Sequence, residues 1–147
     1  MRTIAGKSSI KQPSKIEIRR MEILRYRREH EDALISALEG DPDWDMFTNE
    51  KSIEGYKKRL IESVTYVCLE NGVLCGYVRA LLDQYFAVYI SELFVTPKWR
   101  NRAIGKMLIK KVKMDFSHLT VYALSDEDAY YEKLGYRNVG SVFEITE

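Results

Sequence analysis

The chain of 147 residues predicts a single α/β (α+β) domain, and three observations carry that reading. Asn71-Gly72 separates two β-prone runs, TYVCLE and VLCGYVRAL, and reads as a two-residue hairpin because both central residues need a positive φ. A third β-prone run, YISELFV, stops short of Pro97 and passes through a basic, small-residue turn straight into an amphipathic helix. In order, the elements read strand, two helices, three strands, helix, strand, helix, strand.

Each element has a local reason. Residues 1–15 mix Lys, Ser, Gln and Pro13 and read as an arm, whereas 15–27 alternate loosely and are strand-prone. A helix is expected over 29–38 with Ala33, Leu34 and Leu38 on its apolar face. After the loop GDPDWDMFTNE, a second is expected over 50–62 with Ile53, Tyr56, Leu60 and Ile61 buried. In the hairpin, paired residue numbers should sum to 143, which sets Cys68 opposite Cys75 and Tyr66 opposite Tyr77. That is a hydrogen-bonded pair, a poor site for a disulfide, so the cysteines read as packed thiols. The third strand covers 88–96. The following helix, over 102–116, puts Ile104, Leu108, Val112 and Phe116 on one face, with Met107 beside them, and Lys106, Lys110, Lys111 and Lys113 on the other. The strand LTVYAL, a short helix over 126–134 and a closing strand over 136–145 complete the domain.

Composition narrows the function classes. An apolar content of 46% with 31% charged residues describes an ordinary soluble globular chain with one core. No apolar run reaches bilayer length, and the start lacks a signal-peptide stretch. Two cysteines and two histidines offer neither a disulfide framework nor metal-ligand spacing, so no metal is expected and a reducing cytoplasm is the expected compartment. Net charge is +1 but uneven: residues 1–28 hold nine Lys/Arg and two Glu, while 29–63 hold ten Asp/Glu and four Lys/Arg. With one Tyr and no Gly/Arg repeat, residues 1–20 read as a solvated basic extension rather than a nucleic-acid arm, leaving 21–147 as the folded domain.

The chemistry concentrates in Arg100-Asn-Arg-Ala-Ile-Gly105. A strand feeding a helix leaves unpaired N–H groups at the helix start, where the dipole favours negative charge. Arg100, Arg102 and Lys106 add positive charge, and Ala103 and Gly105 let a ligand approach the backbone. Together these point to a bound pyrophosphate. Ala103 is expected at negative φ, because a positive φ costs an alanine energy.

The turn resembles the Arg/Gln-x-x-Gly-x-Gly/Ala loop of the GNAT family (Gcn5-related N-acetyltransferases), and DAYYEKLGY is similar to that family's Tyr-Glu-Lys-Leu-Gly-Phe signature. The resemblance covers the chain from about Met21 onward. It implies the GNAT acyl-CoA N-acyltransferase fold, a mixed twisted sheet flanked by helices, with acetyl-CoA as co-substrate. It further implies that the backbone of Phe94 and Val95 pairs with the pantetheine arm in a slot opened by a bulge in their strand. Arg100, Asn101, Arg102, Ala103, Ile104, Gly105 and Lys106 would hold the pyrophosphate. Tyr131 would protonate the leaving thiolate, and Glu92 would act as base or bind the acceptor's ammonium. If Leu93 and Val95 point into the core, Glu92 and Phe94 share the opposite face. The chain departs from the family at Ala103, where a glycine is usual, and at its end, where twelve residues follow Gly135 instead of two strands. The open sheet edge could be covered by IEIRR near the N-terminus or by another subunit.

Asp41, Asp43, Trp44, Asp45 and Phe47, with Asp83 and Tyr85, would suit a cationic acceptor through Coulomb attraction and cation–π contact, or would simply form a solvated loop. The expected function is acetyl-CoA-dependent transfer of an acetyl group to a primary amine of a small molecule or protein, directly in a ternary complex. Neither Cys68 nor Cys75 sits in the context of an activated thiol. A catalytically silent acyl-CoA-binding module, and an acetyltransferase reaching a nucleic-acid-associated acceptor through the basic arm, are the alternatives. Monomer and homodimer both fit. The loop reads phosphates and leaves the acyl chain open.

Overall fold

Residues Asn71 and Gly72 take φ of 51° and 81°, the pair of positive values that a tight hairpin demands, and around them the sheet is built. The structure is a computed structural model that describes residues 20–147; the basic arm, the strand-prone residues 15–19 and most of IEIRR lie outside the described residues. Among the described residues, β1 (Met21–Arg25), β2 (Val64–Glu70), β3 (Val73–Asp83) and β4 (Ala87–Val95) pair antiparallel in sequence order, and β5 (Thr120–Ala123) joins β4 in parallel. The parallel step requires a crossover, which α4 (Ile104–Asp115) supplies. The sheet is therefore mixed.

Helices cover both faces. On one, Ile104, Leu108, Ile109 and Val112 of α4 pack on Tyr66, Cys68, Cys75, Val78, Val88 and Ile90, with α5 (Asp128–Lys133) adding Tyr130 and Tyr131. On the other, α1 (Glu31–Glu39) buries Leu34, Ile35 and Leu38, and α3 (Ile53–Glu62) buries Tyr56 and Leu60, against Val67, Leu74, Tyr77 and Phe94. Between these two helices, α2 (Asp45–Thr48) contributes Phe47. Two expected core positions differ: Ala33 and Ile61 are exposed, and Ile35 takes the inward place.

Two bulges decide which side chains face which helices. The hairpin follows the expected register only for Glu70↔Val73 and Leu69↔Leu74, then shifts, so that Cys68 pairs with Gly76 and Tyr66 with Val78 rather than with Cys75 and Tyr77. The extra residue has a packing reason. An unbroken β3 would send Leu74 and Tyr77 to opposite faces; the bulge brings both into the α1–α3 cluster and leaves Cys75 with Val78 under α4. The second shift lies between Arg79↔Glu92 and Ala80↔Ile90, where Ser91 is the extra residue. It turns Glu92 and Phe94 away from the face that Val88 and Ile90 use.

The closing strand does not form. Residues 136–147 are irregular, and Val139, Val142, Phe143 and Ile145 are exposed. A strand needs a partner to satisfy its backbone, and none is supplied to this segment among the described residues.

Candidate active site

β4 outlasts its parallel neighbour. The last β4–β5 pair is Ile90↔Ala123, closed by Leu124 N–H donating to the Ile90 carbonyl at 2.9 Å. Ser91 to Val95 continue without a β5 partner, beginning at the Ser91 bulge. The two strands thus part where β4 has backbone groups to offer an extended ligand. Leu93 and Val95 pack toward α4, while Glu92 and Phe94 face the α1–α3 side, so the alternation expected of these four residues is the one observed. A Cβ on Gly76 would collide with the Phe94 carbonyl, so β3 can approach this stretch only as glycine.

The turn after β4 runs through a 3-10 segment, Pro97–Trp99, into α4. Asn101 (φ 63°) and Ala103 (φ 62°) are both left-handed. The expectation of a negative φ at Ala103 is therefore corrected: Ala103 is the N-cap of α4 and takes the left-handed conformation that admits the chain to the helix, at a cost of about 1 kcal/mol relative to glycine. Its carbonyl accepts from Met107 N–H at 3.0 Å, and no side chain caps the first turn of α4. Ile104, Gly105 and Lys106 thus begin a helix whose leading N–H groups have no side-chain cap, a geometry that suits an anion.

The two arginines are engaged elsewhere. Arg100 folds back, its Nε donating to the Val95 carbonyl at 2.8 Å, its Nη2 3.8 Å from Asp41 and its guanidinium 5.9 Å from the Phe94 ring centroid. Arg102 stacks over Trp99 at 4.8 Å. Gly105 matters for space: a Cβ there would collide with the hydroxyl of Tyr130 and sit 3.5 Å from Leu93. Tyr130 thus meets the start of α4 at Gly105. Tyr131 lies edge-on to Tyr130, ring centroids 5.3 Å apart. Burial, with Tyr130, Asp126 and Glu127 nearby, pushes the Tyr131 phenol up to about 12, and none of the described side chains hydrogen-bonds its hydroxyl. Gly135, at φ 91°, ends α5 and lets Tyr136 N–H return to the Tyr131 carbonyl.

Glu92 is not free. Arg79 Nε donates to Oε1 and Arg79 Nη2 to Oε2, both at 2.7 Å, and Tyr56 O–H donates to Oε1 at 2.6 Å. Because that proton is spent on Glu92, Tyr77 is the donor in the 2.5 Å contact between the two phenols. Arg79 also donates to Ser63 and Ser91, so it ties the bulge residue into the same network. All four groups are buried. Desolvation works against the Arg79 charge, but Glu92, Tyr56 and Tyr77 outweigh it and hold its pKa above the usual value. Burial drives both phenols far above the ordinary tyrosine range, helped at Tyr56 by Tyr77 and then Glu92, and at Tyr77 by Glu92 against the opposing pull of the Tyr56 hydrogen bond and Arg79. The expected site residues named Glu92 but missed Tyr56, Tyr77, Arg79 and Tyr130. One signal was present: an arginine inside the apolar strand GYVRAL needs a buried partner.

The acidic-aromatic residues divide. Trp44 lies 5.1 Å from Phe94 and Phe47 stacks on Tyr56 at 4.5 Å, so both roof the Glu92 side of the sheet. Asp43 and Asp45 are exposed beside them, and Asp41 reaches Arg100. Asp83 and Tyr85 sit at the far end of β3 and β4, away from this group. Among the described residues, no group of three or more His, Cys, Asp or Glu is placed to hold a metal, and no helix is long and apolar enough to cross a membrane.

Residues 32–146 match the acetyltransferase (GNAT) domain family. No curated protein sequence matches the chain. Among solved structures, an aminoglycoside N-acetyltransferase, AAC(6′)-Iy in complex with CoA, superposes with a TM-score of 0.71 at 14% identity, covering 89% of this chain and 97% of its own. A GNAT acetyltransferase from Streptococcus pneumoniae gives 0.61 at 17% identity over 88% and 100%. An aminoglycoside acetyltransferase from an uncultured soil sample, in complex with sisomicin, gives 0.63 at 20% over 86% and 97%. At these identities the likeness is one of fold. With the family match spanning most of the chain, this protein belongs to the GNAT family and is an N-acetyltransferase with acetyl-CoA as its co-substrate.

Proposed function

We propose that the protein acetylates a primary amine of a polycationic small molecule, of the aminoglycoside or polyamine kind, by direct transfer in the cytoplasm. The observation that carries the donor half is the parting of β4 from β5 at Ser91, with the uncapped start of α4 at the end of the same strand. The acceptor half is supported by the acidic segment 29–63, by the exposed Asp43 and Asp45 beside Trp44, and by the substrates in the names of the structural neighbours.

Bound coenzyme supplies a thioester with a thiolate leaving group, and the chain's residues act around it. The turn from Asn101 to Lys106 would hold the pyrophosphate through backbone N–H groups and the Lys106 charge. Phe94 and Val95 would offer backbone hydrogen bonds to the extended arm, which requires Arg100 to release the Val95 carbonyl and frees its charge for the phosphates. Tyr131 keeps its proton at neutral pH. Against a thiol pKa of about 8.5, complete proton transfer from a phenol near 12 is uphill, so Tyr131 would act as a hydrogen-bond donor to the departing sulfur, with solvent completing the protonation. Glu92 would be a positioning residue: Arg79 and Tyr56 occupy its oxygens, and the network holds Ser91 and the slot in place.

Initial velocities with aminoglycosides, polyamines and lysine-like amines test this reading. A preference for polycationic acceptors, with intersecting double-reciprocal plots, is expected; a preference for anionic acceptors, or parallel plots, overturns it.

A further inference from the structure

The rings of Tyr89 and Tyr122 lie one residue pair short of the point where β4 and β5 part. They stand opposite each other on the two strands and stack, with centroids 5.6 Å apart and planes at 22°. Side chains alternate along a strand, so their neighbours reveal which face they use. Val88 and Ile90 of β4, and Val121 and Ala123 of β5, pack under α4. Tyr89 and Tyr122 therefore project to the other face, the one that carries Glu92 and Phe94. Leu81, the β3 partner of Tyr89, extends the row to a third strand. Tyr89, Tyr122 and Leu81 are 36%, 37% and 37% exposed, whereas Tyr56 and Tyr77 beside them are buried under α1 and α3.

The direction of the coenzyme decides what this row would meet. A pyrophosphate at the start of α4 and an arm paired with Val95 and Phe94 send the thioester back along β4 toward Ser91, four residues or about 13 Å from Val95. The reacting carbonyl then stands at the apex of the slot, next to the Ile90↔Ala123 pair. An acceptor that approaches from the Glu92 side reaches it across Tyr89 and Tyr122. Phenol faces attract ammonium groups, and negative charge lies close by. The exposed run Ser125-Asp-Glu-Asp128 begins two residues past the end of β5, and Asp126 and Glu127 act on the Tyr131 phenol. Ring faces with carboxylates beside them complement a molecule carrying several ammonium groups.

We propose that the Tyr89–Tyr122 pair is the platform that selects a polycationic acceptor, holding against its rings an ammonium group other than the one that reacts. This rests on the reading of the protein as an acetyltransferase of polycationic amines, and adds the residues that make the choice. A primary amine attacks the thioester only as the neutral base, so the charge that the rings hold belongs to a second nitrogen. A monoamine gains nothing from the platform.

Steady-state kinetics with spermidine and with n-butylamine, at saturating acetyl-CoA, test the pair. Tyr89→Leu and Tyr122→Leu should each raise KM for spermidine about 10-fold, with KM for butylamine and the dissociation constant for coenzyme each within about twofold of wild type. Tyr122→Phe, which keeps a ring face, should restore most of the affinity for spermidine. NMR of the tyrosine rings follows binding without turnover: when spermidine is added to protein saturated with coenzyme A, the Tyr89 and Tyr122 resonances should shift and that of Tyr85, at the far end of β3 and β4, should not. Unmoved rings overturn the proposal. So does an unchanged KM for spermidine in both leucine variants, or an equal loss for both amines. A leucine variant that changes only the sedimentation mass also overturns it, because the rings would then serve a contact between copies. The broader reading fails in the wild-type enzyme, through a preference for anionic acceptors, whereas the platform fails in the variants and the ring shifts.

Discussion

The two faces of this sheet keep water out in different ways. Under α4 the core encloses no ion pair: Ile104, Leu108, Ile109 and Val112 meet Val78, Val88 and Ile90, with Tyr66 and the thiols of Cys68 and Cys75 beside them. Under α1 and α3, the aromatic layer of Trp44, Phe47, Tyr56, Tyr77 and Phe94 encloses the Arg79–Glu92 ion pair. Dispersion and hydrophobic burial add in small increments, so the first face should lose stability in proportion to the atoms removed. A buried ion pair has no such gradation. It is tolerable only with every partner present, and removing one leaves a charge with nothing to replace water.

The largest expected effect breaks that second face. Glu92→Leu strands the Arg79 charge and should cost about 3–5 kcal/mol in urea unfolding, while Arg79→Met with Glu92→Leu should recover most of the loss. A double variant no more stable than the single one would mean that the pair itself, not the stranded charge, supplies the stability. On the first face, Leu108→Ala should cost about 3 kcal/mol. Glu92→Leu should also weaken coenzyme binding, because its network holds Ser91 at the slot, whereas Leu108→Ala should not; equal losses of coenzyme affinity would remove the functional meaning of the contrast.

Tyr131→Phe sharpens the comparison from the side of chemistry. It removes one hydroxyl that no described side chain bonds, so stability should stay nearly level while kcat falls about 100-fold and the dissociation constant for coenzyme holds. Unchanged kcat across pH would remove Tyr131 from the reaction. Alkaline titration loads both faces, because the raised phenols of Tyr26, Tyr56 and Tyr77 on the α1–α3 side act together with three groups under α4. Burial, then neighbouring Cys75, pushes the Cys68 thiol up to about 12 from 9.0, and burial lifts Tyr131 and Tyr66 to about 12 from 10.0. The folded state keeps protons that the unfolded chain releases, so stability is full below about pH 9 and falls between 9 and 12. The slope cannot exceed about 1.4 kcal/mol per pH unit for each group, and partial exposure lowers it. Smallest of all, Ala103→Gly relieves a left-handed alanine and should stabilise the fold by about 1 kcal/mol, less the entropy of the freer unfolded chain. A destabilised Ala103→Gly protein would show that the methyl group packs usefully.

Much of the fold was legible because its signals are short-range. Asn71-Gly72 names its own turn, and Leu108 and Val112 recur at helical spacing. The turn into α4 combines a strand end, small residues and a helix start within a dozen positions. Glu92 and Tyr131 were visible as types in a motif, but their surroundings were not. Tyr56 and Glu92 are 36 positions apart, and their hydrogen bond exists only because α3 is laid across β4. Tyr130 read as ordinary packing until its hydroxyl was placed against Gly105. The bulges at Cys75 and Ser91 left no mark in the alternation, because they answer to what lies on the facing helices.

By itself, then, the sequence determined the kind and order of the elements from β1 to α5 apart from α2, which forms where a loop was expected, together with the basic strand-to-helix turn and the family to which these belong. Periodicity and turn chemistry are properties of neighbours along the chain, and they survive without knowledge of the rest. Only the tertiary structure decided that Ala103 is left-handed, that Glu92 is held by Arg79 and Tyr56, and that residues 136–147 find no place on their own sheet. Each of those outcomes depends on groups far apart in sequence competing for the same space, charge or hydrogen bonds, and that competition is settled in three dimensions.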